Sequence, residues 1–185
     1  MSKIRSAPRH NILLAALHWT MAVALVVQVL LIFARQFLAE SGFDLPFTEY
    51  RIVNLHKSIG VVIFFTAALR LLWRLIGGLA PWPHDMPEWE QILTHKVEIA
   101  LYTFMFATPL SGVLTSVVSG YPVLVFGRSF LPSYWTGSES LLAFTLIAHA
   151  IVVWTFYATI MLHVTLVFRR RKYDDPRHLR RMSLS

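Results

Sequence analysis

The composition of this 185-residue chain is that of an integral membrane protein, because 56% of its residues are hydrophobic, 14% are aromatic and only 15% are charged, far from the balance of a soluble domain. Its formal net charge of +7 comes from basic residues at the ends of apolar stretches, where they set membrane topology, so we expect no nucleic-acid partner. The absence of cysteine excludes disulfides, iron–sulfur clusters and thioether-linked haem.

Four apolar stretches follow one another and occupy most of the chain. We predict helices at approximately 12–33, 52–76, 92–118 and 141–168. Each approaches or exceeds the roughly 20 residues that cross a ~30 Å hydrocarbon core. The predicted fold is therefore all-α, a four-helix integral membrane bundle that forms a single membrane domain over residues 1–185.

Basic residues predict the orientation of this bundle. Three precede the first helix and two end the second, namely Lys3, Arg5, Arg9, Arg70 and Arg74, and a basic tail at 169–185 follows the fourth. By the positive-inside rule both termini are cytoplasmic, and the tail contacts lipid head groups. The apolar loop at 119–140 then lies outside, where its aromatic residues predict a cap on the membrane surface.

The fourth helix carries two histidines, His149 and His163. Their spacing of fourteen residues is close to four full turns, so both imidazoles leave one face, about 21 Å apart along the axis. His18 of the first helix matches His163 in predicted depth near the cytoplasmic side, and His56 of the second helix matches His149 near the outer side. The sequence thus predicts two cross-helix histidine pairs at two depths.

Paired imidazoles from different helices are the axial ligands that a planar haem needs, one on each face. With both axial positions filled, the iron has no open site for oxygen, which favours the transfer of single electrons. Two alternatives stay open at this point. An intramembrane histidine can instead be hydrogen-bonded to a neighbouring helix, and His95, at the cytoplasmic start of the third helix, could replace His18 as a ligand.

Haem propionates would place negative charge near the membrane faces, where cations can neutralise it. We predict Arg70 for the cytoplasmic haem and Lys57 for the outer one, because each lies on the helical segment concerned. Further candidates, which can equally be snorkelling or topology-setting residues, are Arg9, Arg74 and Lys96 on the cytoplasmic side and Arg51 and Arg128 on the outer side.

Several short stretches together resemble the bacterial cytochrome b561 family over nearly the whole chain. They are Leu17-His18-Trp19, His56-Lys57-Ser58-Ile59-Gly60, Leu69-Arg70-Leu71-Leu72-Trp73-Arg74, Pro109-Leu110-Ser111-Gly112 with Gly120, Phe126-Gly127 and Pro132, and the two histidines of the last helix. The resemblance implies a multi-pass protein of the bacterial inner membrane with two b haems. It implies the ligand pairs His18 with His163 and His56 with His149, which agrees with the pairing from depth.

The same resemblance implies a role in electron transfer. The helix arrangement is shared with cytochrome b subunits of hydrogenases and formate dehydrogenases, which pass electrons to quinone, and a similar family member has been assigned superoxide oxidation with ubiquinone as acceptor. One position departs from the family pattern, since Glu98 stands where members carry a second histidine three residues after the one that matches His95.

Three functions follow for testing. The first is a dihaem oxidoreductase that moves electrons across the inner membrane between an outer donor, with superoxide as the first candidate, and ubiquinone. The second is a haem-bearing anchor that relays electrons for a hydrogenase-like or dehydrogenase partner. The third, a histidine-lined ion or metal transporter, would have Glu98 as its one carboxylate well inside a span. The sequence leaves a homodimer open.

Overall fold

Four long helices make up most of the molecule. The computed structural model describes residues 10–42, 46–77, 82 and 86–173. Its helices are α1 (His10–Glu40), α2 (Pro46–Gly77), α3 (Glu88–Val118) and α4 (Glu139–Tyr173). All four are long and apolar enough to cross a membrane, so the prediction of an all-α, four-helix membrane protein is confirmed. Arg9 and residues 174–185 of the basic tail lie outside the described residues.

The helices run beyond the apolar stretches from which they were predicted. They have 31 to 35 residues each, about 46–53 Å at 1.5 Å per residue, whereas the hydrocarbon core is about 30 Å thick. A helix satisfies its backbone hydrogen bonds internally, so it can continue into the polar flanks where the hydropathy signal ends. The helices therefore extend past the apolar stretches at both ends of the bundle.

The helices pack in a defined order around one central layer. The backbones of α1 and α2, of α2 and α3, and of α3 and α4 lie close together along the bundle. The backbones of the described parts of α1 and α4 come close at few points. Each helix contributes one buried residue to the core cluster, namely Met21, Ala67, Met105 and Phe156. Phe156 lies seven residues from His149 and seven from His163, so this layer separates the two predicted histidine depths.

The predicted apolar loop contains a hairpin that the sequence did not reveal. Strands β1 (Val123–Val125) and β2 (Arg128–Leu131) pair antiparallel. Phe126 and Gly127 form the turn with φ angles of 49° and 84°, both positive as in a type I′ turn. The hairpin was missed because its strands are short and its first turn residue is phenylalanine, where asparagine, aspartate or glycine is usual.

Ser58 fastens this hairpin to α2. Its side chain is 1% exposed, and its Oγ accepts a hydrogen bond from the Phe126 backbone N–H at 2.9 Å. The hydroxyl lies 2.7 Å from the carbonyl oxygen of Asn54 and 3.2 Å from that of Leu124, either of which accepts its proton. Lys57 adds a bond from Nζ to the carbonyl oxygen of Pro122 at 3.3 Å. The loop is thus held against the second helix at two adjacent residues.

Replacing Ser58 by alanine should loosen the hairpin, because the Phe126 N–H loses its acceptor in a partly buried site. We expect a loss of about 1–3 kcal/mol, measured by thermal unfolding of the purified protein, together with faster hydrogen exchange at the hairpin amides. Ser129→Ala, on the exposed strand β2, is the control and should change neither. Equal behaviour of the two variants would contradict the fastening role of Ser58.

Candidate functional site

The structure brings His18 of α1 and His163 of α4 together. Their ring centroids are 6.4 Å apart and the ring planes are inclined by 71°. Two imidazoles that bind one metal ion from opposite sides, each at about 2 Å, have ring centres about 6 Å apart. The spacing of this basic-end pair, named for the basic residues around it, therefore suits a single metal ion held between α1 and α4.

His56 of α2 and His149 of α4 form the second group, the hairpin-end pair. The two imidazoles are close enough to interact electrostatically. His149 Nδ1 lies 2.8 Å from the Ser111 hydroxyl oxygen of α3, and that hydroxyl donates its own proton to the Thr108 carbonyl oxygen at 2.9 Å. With that proton engaged, the Ser111 oxygen is available to accept a hydrogen bond from His149 Nδ1, and a proton on Nδ1 leaves Nε2 with a free lone pair. This is the tautomer that a metal-binding histidine requires.

Gly112 lets the His149 ring lie directly on the backbone of α3. A Cβ atom at this position would stand 3.2 Å from Cε1 of the imidazole, tighter than ordinary van der Waals contact. Two adjacent residues therefore position the His149 ring. The Ser111 hydroxyl bonds it, and Gly112, which has no side chain, leaves room for it. Sequence reasoning noted this stretch but assigned it no contact, because nothing in the sequence says that α3 faces His149.

Arg70 is a cation that acts on both histidines of the basic-end pair. It is partly buried on α2, interacts electrostatically with His18 and His163, and stacks over the Tyr102 ring at 5.9 Å. Its neighbour Arg74 forms an ion pair with Glu98, so that charge is already matched. Glu98, the residue that departs from the family pattern, is thus half of a helix-to-helix ion pair between α3 and α2.

Lys57, the other cation predicted to bind a propionate, directly follows His56 on α2 and interacts with it electrostatically. Lys57, bonded to Pro122, also sits 5.9 Å from the centroid of the Tyr121 ring, and Arg128 is exposed on β2. Arg51 lines a cavity of about 400 Å³ between α2 and the hairpin. His95 and Lys96 are exposed on α3, and the structure places His163, not His95, beside His18.

The residues fit a planar metal cofactor better than a bare ion. No group of three or more histidine, cysteine or carboxylate side chains meets among the described residues, whereas a protein-bound zinc ion needs three or four protein ligands. Two ligands suffice for a metal that brings its own in-plane nitrogens, as haem iron does. The meeting of His18 and His163 across α1 and α4 agrees with a group held by one residue from each helix.

Fold and paired imidazoles together define a four-helix membrane protein suited to holding haem between its helices. The chain matches the family model of prokaryotic cytochrome b561 over residues 9–183, and it belongs to that family. It is 26% identical to "Cytochrome b561 homolog 2" of Escherichia coli (strain K12) over 185 residues, which cover 98% of this chain and 95% of the relative. The protein is therefore a multi-pass protein of the bacterial inner membrane, a b-type cytochrome that binds haem b and serves membrane electron transfer.

The ion pair between Arg74 and Glu98 generates a prediction about stability. Glu98→Gln leaves the Arg74 guanidinium without its carboxylate inside the bundle, and we expect a loss of about 1–3 kcal/mol in thermal unfolding. The double variant Arg74→Gln/Glu98→Gln removes both charges and should recover part of that loss. The single variant Arg74→Gln completes the cycle. If the losses of free energy of unfolding in the two single variants simply add in the double variant, the pair is not coupled and this prediction is wrong.

Proposed function

We propose that this protein is a dihaem cytochrome b that carries electrons across the inner membrane from superoxide, at the outer face, to ubiquinone. The proposal rests on one observation above all. Each end of the bundle holds a cross-helix pair of imidazoles, and both pairs share α4, on which His149 and His163 stand about 21 Å apart along the axis. Two cofactor positions on one helix make a path through the membrane.

In this proposal His18 and His163 hold one haem, and His56 and His149 hold the other. Haem b, when bound, supplies a one-electron couple. The protein would supply two imidazole ligands at each position, which would leave the metal no open site for oxygen and would favour the transfer of single electrons. Ser111 orients His149, and the buried layer around Phe156 excludes water between the two positions.

Arg70 and Lys57 are proposed as partners of the propionates at the two ends. Support for Arg70 comes from its place beside the basic-end pair while the neighbouring Arg74 is engaged by Glu98. Lys57 follows His56 directly on α2, and an ammonium group has three donors, of which the Pro122 carbonyl takes one. The remaining donors of Lys57 can serve a carboxylate near the hairpin end.

The orientation is part of the proposal. We place the basic end, where α1 begins and α4 ends, in the cytoplasm, in accord with the arginines and lysines that cluster in the sequence there. The hairpin end then faces outward, with Lys57, Arg51 and Arg128 forming a cationic surface that attracts an anion such as superoxide. Two superoxide ions give up one electron each and leave as oxygen, and one ubiquinone takes both electrons with two protons to become ubiquinol.

Haem content tests the ligand assignment directly. We expect two haems b per chain in the detergent-purified protein and about one in either His149→Ala or His163→Ala, with a different spectral component lost in each. The pyridine haemochrome assay and reduced-minus-oxidised spectra measure this. His95→Ala is the matched control and should keep both haems. A well-folded parent without haem would refute the proposal, and loss of a haem from the control would revive His95 as a ligand.

The anion-attracting surface is tested by charge reversal. Arg128→Glu should lower the rate of superoxide-dependent ubiquinone reduction severalfold at low ionic strength, and the difference from the parent should shrink as salt rises. Arg169→Glu, at the opposite end beside the Trp89 ring, serves as control with little effect expected. An unchanged rate for Arg128→Glu would remove the steering role. Activity only with a co-purifying dehydrogenase would favour the relay subunit.

A further inference from the structure

A glutamine inside the membrane touches the hairpin-end pair. Gln28 of α1 is 8% exposed, and its Nε2 donates a hydrogen bond to the backbone carbonyl oxygen of His56 at 3.0 Å. Because a carbonyl only accepts, this bond settles which end of the amide is nitrogen. Gly60, one turn further along α2, also borders the amide, since a Cβ there would lie 3.4 Å from Nε2, an ordinary van der Waals distance.

Two polar atoms in this contact still lack a hydrogen-bond partner among the described residues. They are Oε1 of Gln28 and Nδ1 of His56, and both are buried. Leaving a buried donor or acceptor unpaired costs about 1–3 kcal/mol, so such atoms normally have a partner, often an ordered water. Here the two unpaired atoms belong to two residues that already contact each other. Gln28 Oε1 is an acceptor, and His56 Nδ1 can carry a proton.

The other histidine of the same pair shows what is missing at His56. His149 has its Nδ1 bonded to Ser111, which fixes the tautomer and leaves Nε2 free. His56 needs the same arrangement if its Nε2 is to bind iron, and metal-binding histidines almost always donate their second N–H to an oxygen. Among the described residues, Gln28 Oε1 is a buried oxygen without a hydrogen-bond partner, and it belongs to a side chain that already contacts His56 through Nε2.

We propose that Gln28 is a positioning residue for His56, in which one bridging water molecule accepts a hydrogen bond from His56 Nδ1–H and donates one to Gln28 Oε1. This inference rests on the proposed function, since it takes His56 as a haem ligand. A histidine whose Nδ1–H donates a hydrogen bond is a more basic ligand at Nε2. Such a ligand favours ferric iron and lowers the reduction potential. Gln28 stands ten residues from His18, about 15 Å along α1, so the basic-end haem is outside its reach.

The two haems allow an internal comparison within one molecule. We would titrate the full-length, haem-loaded chain spectroelectrochemically in nanodiscs and compare the parent with Gln28→Met, which keeps the length of the side chain and removes its acceptor, and with Gln28→Glu, which strengthens it. Gln28→Met should raise the midpoint potential of the haem that His149→Ala loses, and Gln28→Glu should lower it. The haem that His163→Ala loses should keep its potential in both.

Two further variants calibrate the result. Ser111→Ala, which removes the Nδ1 partner of His149, should raise the potential of the same haem. Gln36→Met is the matched control, because Gln36 is an exposed glutamine on α1 that bonds Glu40, and it should shift neither potential. If Gln28→Met weakens binding so far that one haem is lost, retention of that haem in Gln28→Glu would carry the same conclusion, and its loss in both variants would overturn it.

Other outcomes would also overturn the inference. Unchanged potentials in Gln28→Met and Gln28→Glu, with only a lower unfolding temperature, would make Gln28 a helix-to-helix tether through its Nε2 alone. Equal shifts at both haems would indicate a general change of the bundle. A parent that lacks two haems would instead refute the proposed function, so the two failures are distinguishable.

Discussion

Hydrocarbon offers no hydrogen bonds, and the arrangement of these helices depends on that constraint. A polar side chain inside a span must find its partner on its own helix, on a neighbouring helix or in a cofactor. Ser111 meets His149, Arg74 meets Glu98, and Gln28 meets the carbonyl of His56. Each contact joins a different pair of helices, so the polar residues fix how the helices sit relative to one another while the apolar ones supply the bulk of the packing.

The two histidine pairs differ in how the protein supports them. At the hairpin end, His149 lies on the bare backbone of Gly112 and is held through a hydroxyl, so its ring has one orientation. At the basic end, His18 and His163 face each other near Arg70, a partly buried cation. A cation, Lys57, also stands beside His56, so the two ends differ in the hydrogen bond behind His149, a contact that lowers a redox potential. The structure thus gives the two positions unequal surroundings.

The hairpin packs against α2 at one end of the bundle. Its turn places a phenylalanine at positive φ, a conformation that costs such a side chain roughly 1–3 kcal/mol. Ser58 repays part of that cost by accepting the Phe126 N–H, and the contact between Phe130 and Phe65, with centroids 6.3 Å apart, binds the second strand to the lipid-facing side of α2. The contacts of Ser58 and Phe65 on α2 hold the hairpin in place and so maintain the strained turn.

The number of helices, their membrane character and the family could be predicted from the sequence, because the hydrophobic pattern and the histidine spacing are properties of single helices. His149 and His163 share a face through helical periodicity alone, and matching depth along the helices predicts His163 as the partner of His18 and His149 as the partner of His56. The contacts made by Ser111, Gly112, Gln28 and Glu98 depend on which face of one helix meets which face of another. Which faces meet is decided by the packing of all four helices together, so the spacing of residues within one helix cannot predict these contacts.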